Sequence, residues 1–149
     1  MPKQYSVRKI RKSDLDRILQ IEHASFGKDA YDRNLFAEFF HNCGALFLVA
    51  VRSARICGYI VSCTSRGRAE LISIAVAPAE RGRGVASVMM GSTIRRLRRR
   101  GVPRLWLMVR ASNTPARAFY EKYGFRRLRR VRQYYEDSED GVLMSKDLR

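Results

Sequence analysis

Apolar and basic positions alternate from Tyr5 to Arg11, a period of two that predicts an opening strand. The period then lengthens. Leu15, Ile18, Leu19 and Phe26 follow helical spacing, Ser13 stands where an N-cap belongs, and Asp14 and Asp16 suit the positive end of a helix. This helix should run to about Ser25 and break at Gly27, and a second short helix, capped by Asn34, carries Leu35, Phe36, Phe39 and Phe40. Ala45 to Val51 and Arg55 to Ser65 are rich in Val, Ile, Phe and Tyr, and the short link Arg52 to Ala54 predicts a hairpin. Glu70 to Val76 adds a third strand, ended by Pro78. Gly84 to Arg100 reads as a long helix with Val85, Val88, Met89, Ile94 and Leu97 inward, stopped by Gly101. Leu105 to Val109 predicts a strand, Thr114 to Tyr123 a helix ended by Gly124, and Phe125 to Tyr134 and Val142 to Lys146 two strands around the acidic loop Glu136 to Asp140. Strand, two helices, three strands, helix, strand, helix and two strands predict a mixed α/β sheet with helices on both faces.

No Gly/Ser linker or repeat interrupts this order, so one domain over residues 1–149 is expected. That length, with 46% hydrophobic residues, is enough to bury a core without disulfides or metals. Thirty Lys plus Arg against 14 Asp plus Glu give a formal charge of +16, which attracts polyanions but carries no information about fold. The arginine runs, Arg95 to Arg104 and Arg126 to Arg132, read first as solvated faces, with nucleic-acid contact the less favoured reading. No apolar run approaches the about eighteen residues of a membrane span, and the stretch from position 1 to Arg11 lacks the apolar core of a secretory signal. A soluble, cytoplasmic location without membrane contact is therefore expected. Cys43, Cys57 and Cys63 are odd in number, sit in apolar contexts and lack a CxxC spacing. They read as reduced core residues, with neither a disulfide nor a metal site expected. His23 and His41 stand alone on helices, where surface or packing roles are expected.

The most informative stretch is Ile74-Ala75-Val76-Ala77-Pro78, followed by Arg81-Gly82-Arg83-Gly84-Val85-Ala86 at the start of a helix. A strand end, two glycines and a helix N-terminus gather unpaired N–H groups around one point, with the helix dipole behind them and two arginines beside them, which is an anion site. A nucleotide P-loop needs Gly-Lys-Ser/Thr, which is absent, and a dinucleotide fingerprint needs an acidic residue where the next strand ends in Arg110. The remaining pattern resembles the pyrophosphate loop of the GNAT acetyltransferases, which bind acetyl-coenzyme A. Leu105 to Asn113 (LWLMVRASN) and Ala118 to Phe125 (AFYEKYGF) resemble the second coenzyme-binding segment of that superfamily. Within it, LW-L-x-VRASN and the pair Tyr134-Tyr135 before an acidic, Gly-containing loop resemble the ribosomal-protein-alanine N-acetyltransferase (RimI-like) branch, a likeness that spans Tyr5 to Leu148. The resemblance implies one GNAT-like α/β domain, a mixed, mostly antiparallel sheet of about seven strands flanked by about four helices.

It also implies an enzyme: direct transfer of acetyl from acetyl-CoA, used as co-substrate without a metal, to an amine in a ternary complex. The amine is expected on a protein or peptide N-terminus, and a ribosomal protein is one candidate. Arg81 to Ala86 would hold the pyrophosphate. Backbone groups of Ile74, Ala75 and Val76 would hold the pantetheine arm and offer an N–H to the oxyanion, Asn113 would hydrogen-bond the coenzyme, and Tyr120 would protonate the departing thiolate. Asn113 and Tyr120 are seven residues apart, about two helical turns, and so share a face. RimI-like enzymes carry a Glu in the strand where this chain has Met108, which cannot accept a proton. The histone acetyltransferases of the superfamily carry their catalytic Glu where this chain has Glu70, and a carboxylate flanked by apolar residues suits a base. An edge-strand Glu70 paired with an arginine is the plain alternative. Tyr31, Tyr134 and Tyr135 can line a peptide groove or simply pack. Two other functions stay open: a small-molecule amine acetyltransferase, and a non-catalytic RNA- or ribosome-binding module with the same fold.

Overall fold

In the computed structural model, which describes residues 4–149, seven strands form one sheet in the order β1-β2-β3-β4-β5-β7-β6. Positions 1–3, part of the opening stretch expected to lack a signal, lie outside the described residues. The strands are β1 (Ser6–Lys9), β2 (Phe47–Arg52), β3 (Arg55–Ser65), β4 (Arg68–Val76), β5 (Arg104–Arg110), β6 (Arg126–Val131) and β7 (Gly141–Asp147). The helices are α1 (Leu15–Phe26), α2 (Arg33–Cys43), α3 (Val85–Arg99) and α4 (Thr114–Lys122). Every strand pair is antiparallel except β4 with β5, so the mixed, mostly antiparallel sheet has the expected form. Helices cover both faces. One apolar cluster, with Ile18, Ile21, Phe36, Phe47 and Tyr59 at its centre, lies under α1 and α2. The other joins Met89, Met90 and Leu97 of α3 to Leu105, Leu107 and Met144, with Phe119 and Tyr120 of α4 packed against it. Among the described residues no helix is long and apolar enough to cross a membrane.

Several local expectations are corrected. Ser13 is not the cap of α1: a 3₁₀ turn, Lys12–Asp14, leads into the helix, and Asp14 accepts the Arg11 N–H at 2.7 Å while pairing with Arg8. Asp32, not Asn34, caps α2, its carboxylate accepting the Leu35 N–H at 2.9 Å. Asp32 caps α2 through its side chain, whereas the Asp14 carboxylate closes the 3₁₀ turn ahead of α1 and leaves the first turn of that helix without a side-chain cap. Val88 is exposed, not inward, because it lies about 120° around the helix from the centre of the buried stripe through Val85, Met89, Thr93 and Leu97. β6 stops at Val131 rather than Tyr134, since Gln133 turns at φ 53°. Cys43 and Cys63 form a disulfide, contrary to the expectation of reduced cysteines; it ties the C-terminal end of α2 to β3 across 20 residues, while Cys57 is free and buried.

Gly58 governs how closely α3 approaches the sheet. A Cβ there would lie 2.8 Å from the Ala75 carbonyl oxygen, 3.0 Å from Met89 Cε and 3.3 Å from Val85 Cγ1. The absence of a side chain thus seats the first turn of α3 directly on β3 and β4. Gly58→Ala is expected to destabilise the fold by about 1–3 kcal/mol through overpacking, read as a lower urea midpoint at constant m-value.

Candidate active site

The sheet opens where β4 and β5 should continue side by side. Their parallel pairing consists of Ala69 with Leu105 and Glu70 with Trp106, and beyond it the strands part. On its other edge β4 carries a bulge, because Val61 pairs with Ser73 and Ser62 with Leu71, leaving Ile72 as the extra residue. A bulge bends its strand and sharpens the twist, which accounts for the divergence. It also switches the pleat: Ala69 and Leu71 face the α3 side, as do Ile74 and Val76, whereas Ser73 and Ala75 face the α1 side. From Leu71 to Val76 the backbone edge towards β5 has no strand against it, so its N–H and C=O groups are available to an extended ligand.

At the end of β4 the chain passes through Pro78–Glu80 into the glycine loop. Gly82 and Gly84 have φ of 78° and 82°, a conformation L side chains rarely adopt. A Cβ at either would meet nothing within 4 Å, so the loop faces open space while its backbone is bent into a concave turn. Gly84 is the N-cap of α3 and supplies no side-chain cap, leaving the first-turn N–H groups around Val85 and Ala86 unclaimed and backed by a 15-residue helix. Val85 is itself buried, so only its backbone can serve a ligand. The two arginines divide their work. Arg81 braces the loop, donating from Nε to the Val76 carbonyl at 3.1 Å and from Nη2 to Ser25 Oγ at 3.1 Å. Arg83 is exposed and, among the described residues, makes no hydrogen bond or ion pair.

Asn113 caps α4, accepting the Ala116 N–H at 3.3 Å through Oδ1, which leaves its amide NH₂ free. Two turns on, half-buried Tyr120 packs its ring between Phe119 and Phe125, each centroid 5.6 Å away. Burial, reinforced by the neighbouring Tyr135, pushes its hydroxyl up to about 12. Of the tyrosines expected at the acceptor, Tyr31 packs edge to face on Phe36 and Phe39, its hydroxyl pKa raised by burial with further contributions from Glu22, Tyr134 and Glu70, and Tyr134 and Tyr135 meet edge to face at 4.9 Å. Glu70 departs from expectation twice. It is exposed rather than enclosed by apolar groups, and it lies on an interior strand with no arginine partner among the described residues. Met108 faces away from the α3 core beside Gly141, where a Cβ would sit 2.8 Å from Met108 Sδ and 3.3 Å from Tyr134 Cβ.

Two side-chain clusters beside the strand split escaped the sequence reading. Glu22 of α1 is 1% exposed; its carboxylate accepts the Tyr59 and Ser73 hydroxyls and, at 3.0 Å, the Tyr31 N–H, and burial raises its pKa despite these donors. A carboxylate at the inward spacing Leu15, Ile18, Leu19, Glu22 was the available signal. Arg110, noted only as an obstacle to dinucleotide binding, reaches Asp137 and Glu139 at 2.9 Å and Asp29 at 3.5 Å, and covers the Tyr135 ring at 4.1 Å. It joins the segment between α1 and α2 to the loop between β6 and β7.

A split between parallel strands, bordered by an anion-binding helix start and by tyrosines, suits an extended ligand with an anionic end and a second reactant entering from the α1 side. The chain is 34% identical over 142 residues to an uncharacterised N-acetyltransferase of Methanocaldococcus jannaschii, covering 94% of this chain and 90% of that one. It is 28% identical to an N-alpha-acetyltransferase of Saccharolobus solfataricus over 97% of this chain and 93% of the relative. The ribosomal-protein-S18-alanine N-acetyltransferase of Escherichia coli superposes with a TM-score of 0.85 at 28% identity, covering 97% and 94% of the two chains. Residues 13–125 match the acetyltransferase (GNAT) family, spanning the glycine loop, the strand split and Tyr120, and the chain belongs to that family of N-acetyltransferases.

Proposed function

We propose that this protein transfers acetyl from acetyl-CoA to the α-amino group of a protein or peptide by direct attack in a ternary complex, as a single acetyltransferase domain. The observation that carries this reading is the β4/β5 split, which leaves the Leu71 to Val76 edge unpaired and ends at the glycine loop. The loop from Arg81 to Ala86 receives the pyrophosphate, Ile74, Ala75 and Val76 hold the pantetheine arm and present an N–H to the oxyanion, and Asn113 offers its free amide to the coenzyme. Tyr31, Tyr134 and Tyr135 border the acceptor. As the new C–N bond forms and the C–S bond breaks, the amine loses a proton towards Glu70 and the thiolate gains one from Tyr120. An α-amine titrates at about 7.7–8.0 and lysine at about 10.4, so an exposed carboxylate is base enough for an N-terminus but a poor base for lysine. The relatives named for N-alpha and ribosomal-protein-alanine acetylation support the same acceptor class.

Release of free thiol with peptides of varied N-terminus, set against polyamines, amino acids, aminoglycosides and N-terminally blocked lysine peptides, tests this assignment. Turnover confined to free peptide N-termini is expected, and faster turnover of a small amine would replace it. Glu70→Gln is expected to lower kcat/KM about tenfold below pH 8 and little above pH 9, where the amine is already deprotonated. An unchanged profile removes Glu70 from the mechanism.

A further inference from the structure

We infer that the uncovered face of the β5-β7-β6 half of the sheet, centred on Trp106, binds single-stranded RNA. Leu105, Leu107, Val109, Val142 and Met144 belong to the core beneath α3. The pleat therefore turns Arg104, Trp106, Leu143 and Asp147 to the opposite face. Register places Arg126 beside Ser145 and Arg129 beside Leu143, so these two arginines share that face. α1 and α2 pack over β2, β3 and β4, and their apolar cluster includes no residue of β5, β6 or β7. This half of the sheet is thus left without a helix over it among the described residues.

What occupies the face is specific. The Arg68 guanidinium lies 4.3 Å from the centre of the Trp106 ring and that of Arg104 5.6 Å away. With Arg149 and Asp147 they line a hollow of about 390 Å³. Arg68, Arg104, Arg126, Arg129 and Arg149 form no salt bridge among the described residues, so their donors are unspent. Asp147 already accepts the Arg149 backbone N–H. An aromatic ring and planar guanidinium groups on an open sheet are the surfaces on which unpaired bases stack, and free arginines bind the phosphates between them. An acidic peptide would use the arginines but leave the indole idle, which favours RNA. The hollow adjoins the far end of α3, since Arg98 donates to the Leu148 carbonyl at 2.9 Å and Leu148 N–H to that of Pro103 at 2.9 Å. It is about 22 Å, the length of α3, from the glycine loop, so this surface is separate from the coenzyme's anion site, while Glu70, in register with Trp106, marks its border with the proposed acceptor side.

Trp106 is the only tryptophan in the chain, so its emission reports on this face alone. The full chain is titrated with a mixed-sequence 12-nucleotide single-stranded RNA, and with polyglutamate and heparin at matched charge. RNA is expected to quench the emission, with an affinity falling by about 0.7 log units per log unit of salt for each phosphate neutralised. Trp106→Leu, which removes this emission and is therefore read by the anisotropy of a fluorescein-labelled copy of the same RNA, is expected to weaken RNA binding about tenfold or more. The doubly substituted Arg104→Glu, Arg126→Glu chain, altered at exposed positions and checked by its melting curve, is expected to flatten the salt slope. Equal quenching by polyglutamate would assign the face to an acidic protein and overturn the proposal. So would unaltered RNA affinity in the folded double variant, or quenching by heparin equal to that by RNA.

Discussion

Tyr120→Phe is expected to lower kcat about 100- to 1,000-fold while leaving KM for both substrates and the thermal midpoint nearly unchanged. The ring is held between Phe119 and Phe125, contacts that phenylalanine reproduces. The hydroxyl has no hydrogen-bond partner among the described residues, so its removal orphans no buried group. On the proposed mechanism only the proton for the departing thiolate is lost. The sign of the pH dependence follows from the raised pKa: a donor that titrates at about 12 stays protonated through the working range, so the wild type should show no descending limb below about pH 11. The ascending limb, set by the amine near pH 8, should be the same in both proteins, and the variant's plateau should simply lie lower. Steady-state rates by thiol release across pH 6–10 provide the check. An undiminished plateau would mean that the thiolate takes its proton elsewhere.

Geometry carried by neighbours in sequence was legible before the structure, and geometry assembled from distant segments was not. The glycine loop is local: two positive-φ positions, a strand end and a helix start lie within the few residues from Val76 to Val85, and each has a composition signature. The spacing of Asn113 and Tyr120 is likewise local to one helix. The bulge at Ile72, by contrast, depends on how β3 pairs with β4, and apolar runs carry no mark of register. The insertion of β7 between β5 and β6 depends on the return of the last strand, and the Cys43–Cys63 bond on β3 passing the end of α2. Glu22 shows the same limit in one residue. Its place on an apolar stripe was visible, but its partners Tyr59 and Ser73 lie 37 and 51 residues away.

Arg110→Ala is expected to raise KM for a peptide acceptor about 10- to 100-fold, with KM for acetyl-CoA unchanged, because it unties the two segments that border the proposed acceptor cleft. Its guanidinium bridges Asp29 to Asp137 and Glu139 and covers Tyr135, while Glu139 also accepts the Ser112 N–H at 2.9 Å. Without the arginine, three carboxylates face one another across the mouth of the cleft and repel. Such half-exposed pairs contribute little to global stability, so the melting temperature should barely move; the effect is on the position of the loops. Lysine at this position should recover part of the loss, since it restores charge but not the planar fork that meets several carboxylates at once. Hydrogen bonding to the Glu139 backbone, then to Arg110, holds Asp137 below the usual carboxylate range, and the Ser112 hydroxyl followed by Arg110 does so for Glu139. Depressed carboxylates keep their charge as pH falls, so the clamp should survive to mildly acidic pH and weaken only when they protonate. It should instead respond to salt, with peptide KM rising as sodium chloride screens the pairs. Equal rises in both KM values, or a melting temperature lowered by many degrees, would show that Arg110 supports the fold rather than the acceptor side of the cleft.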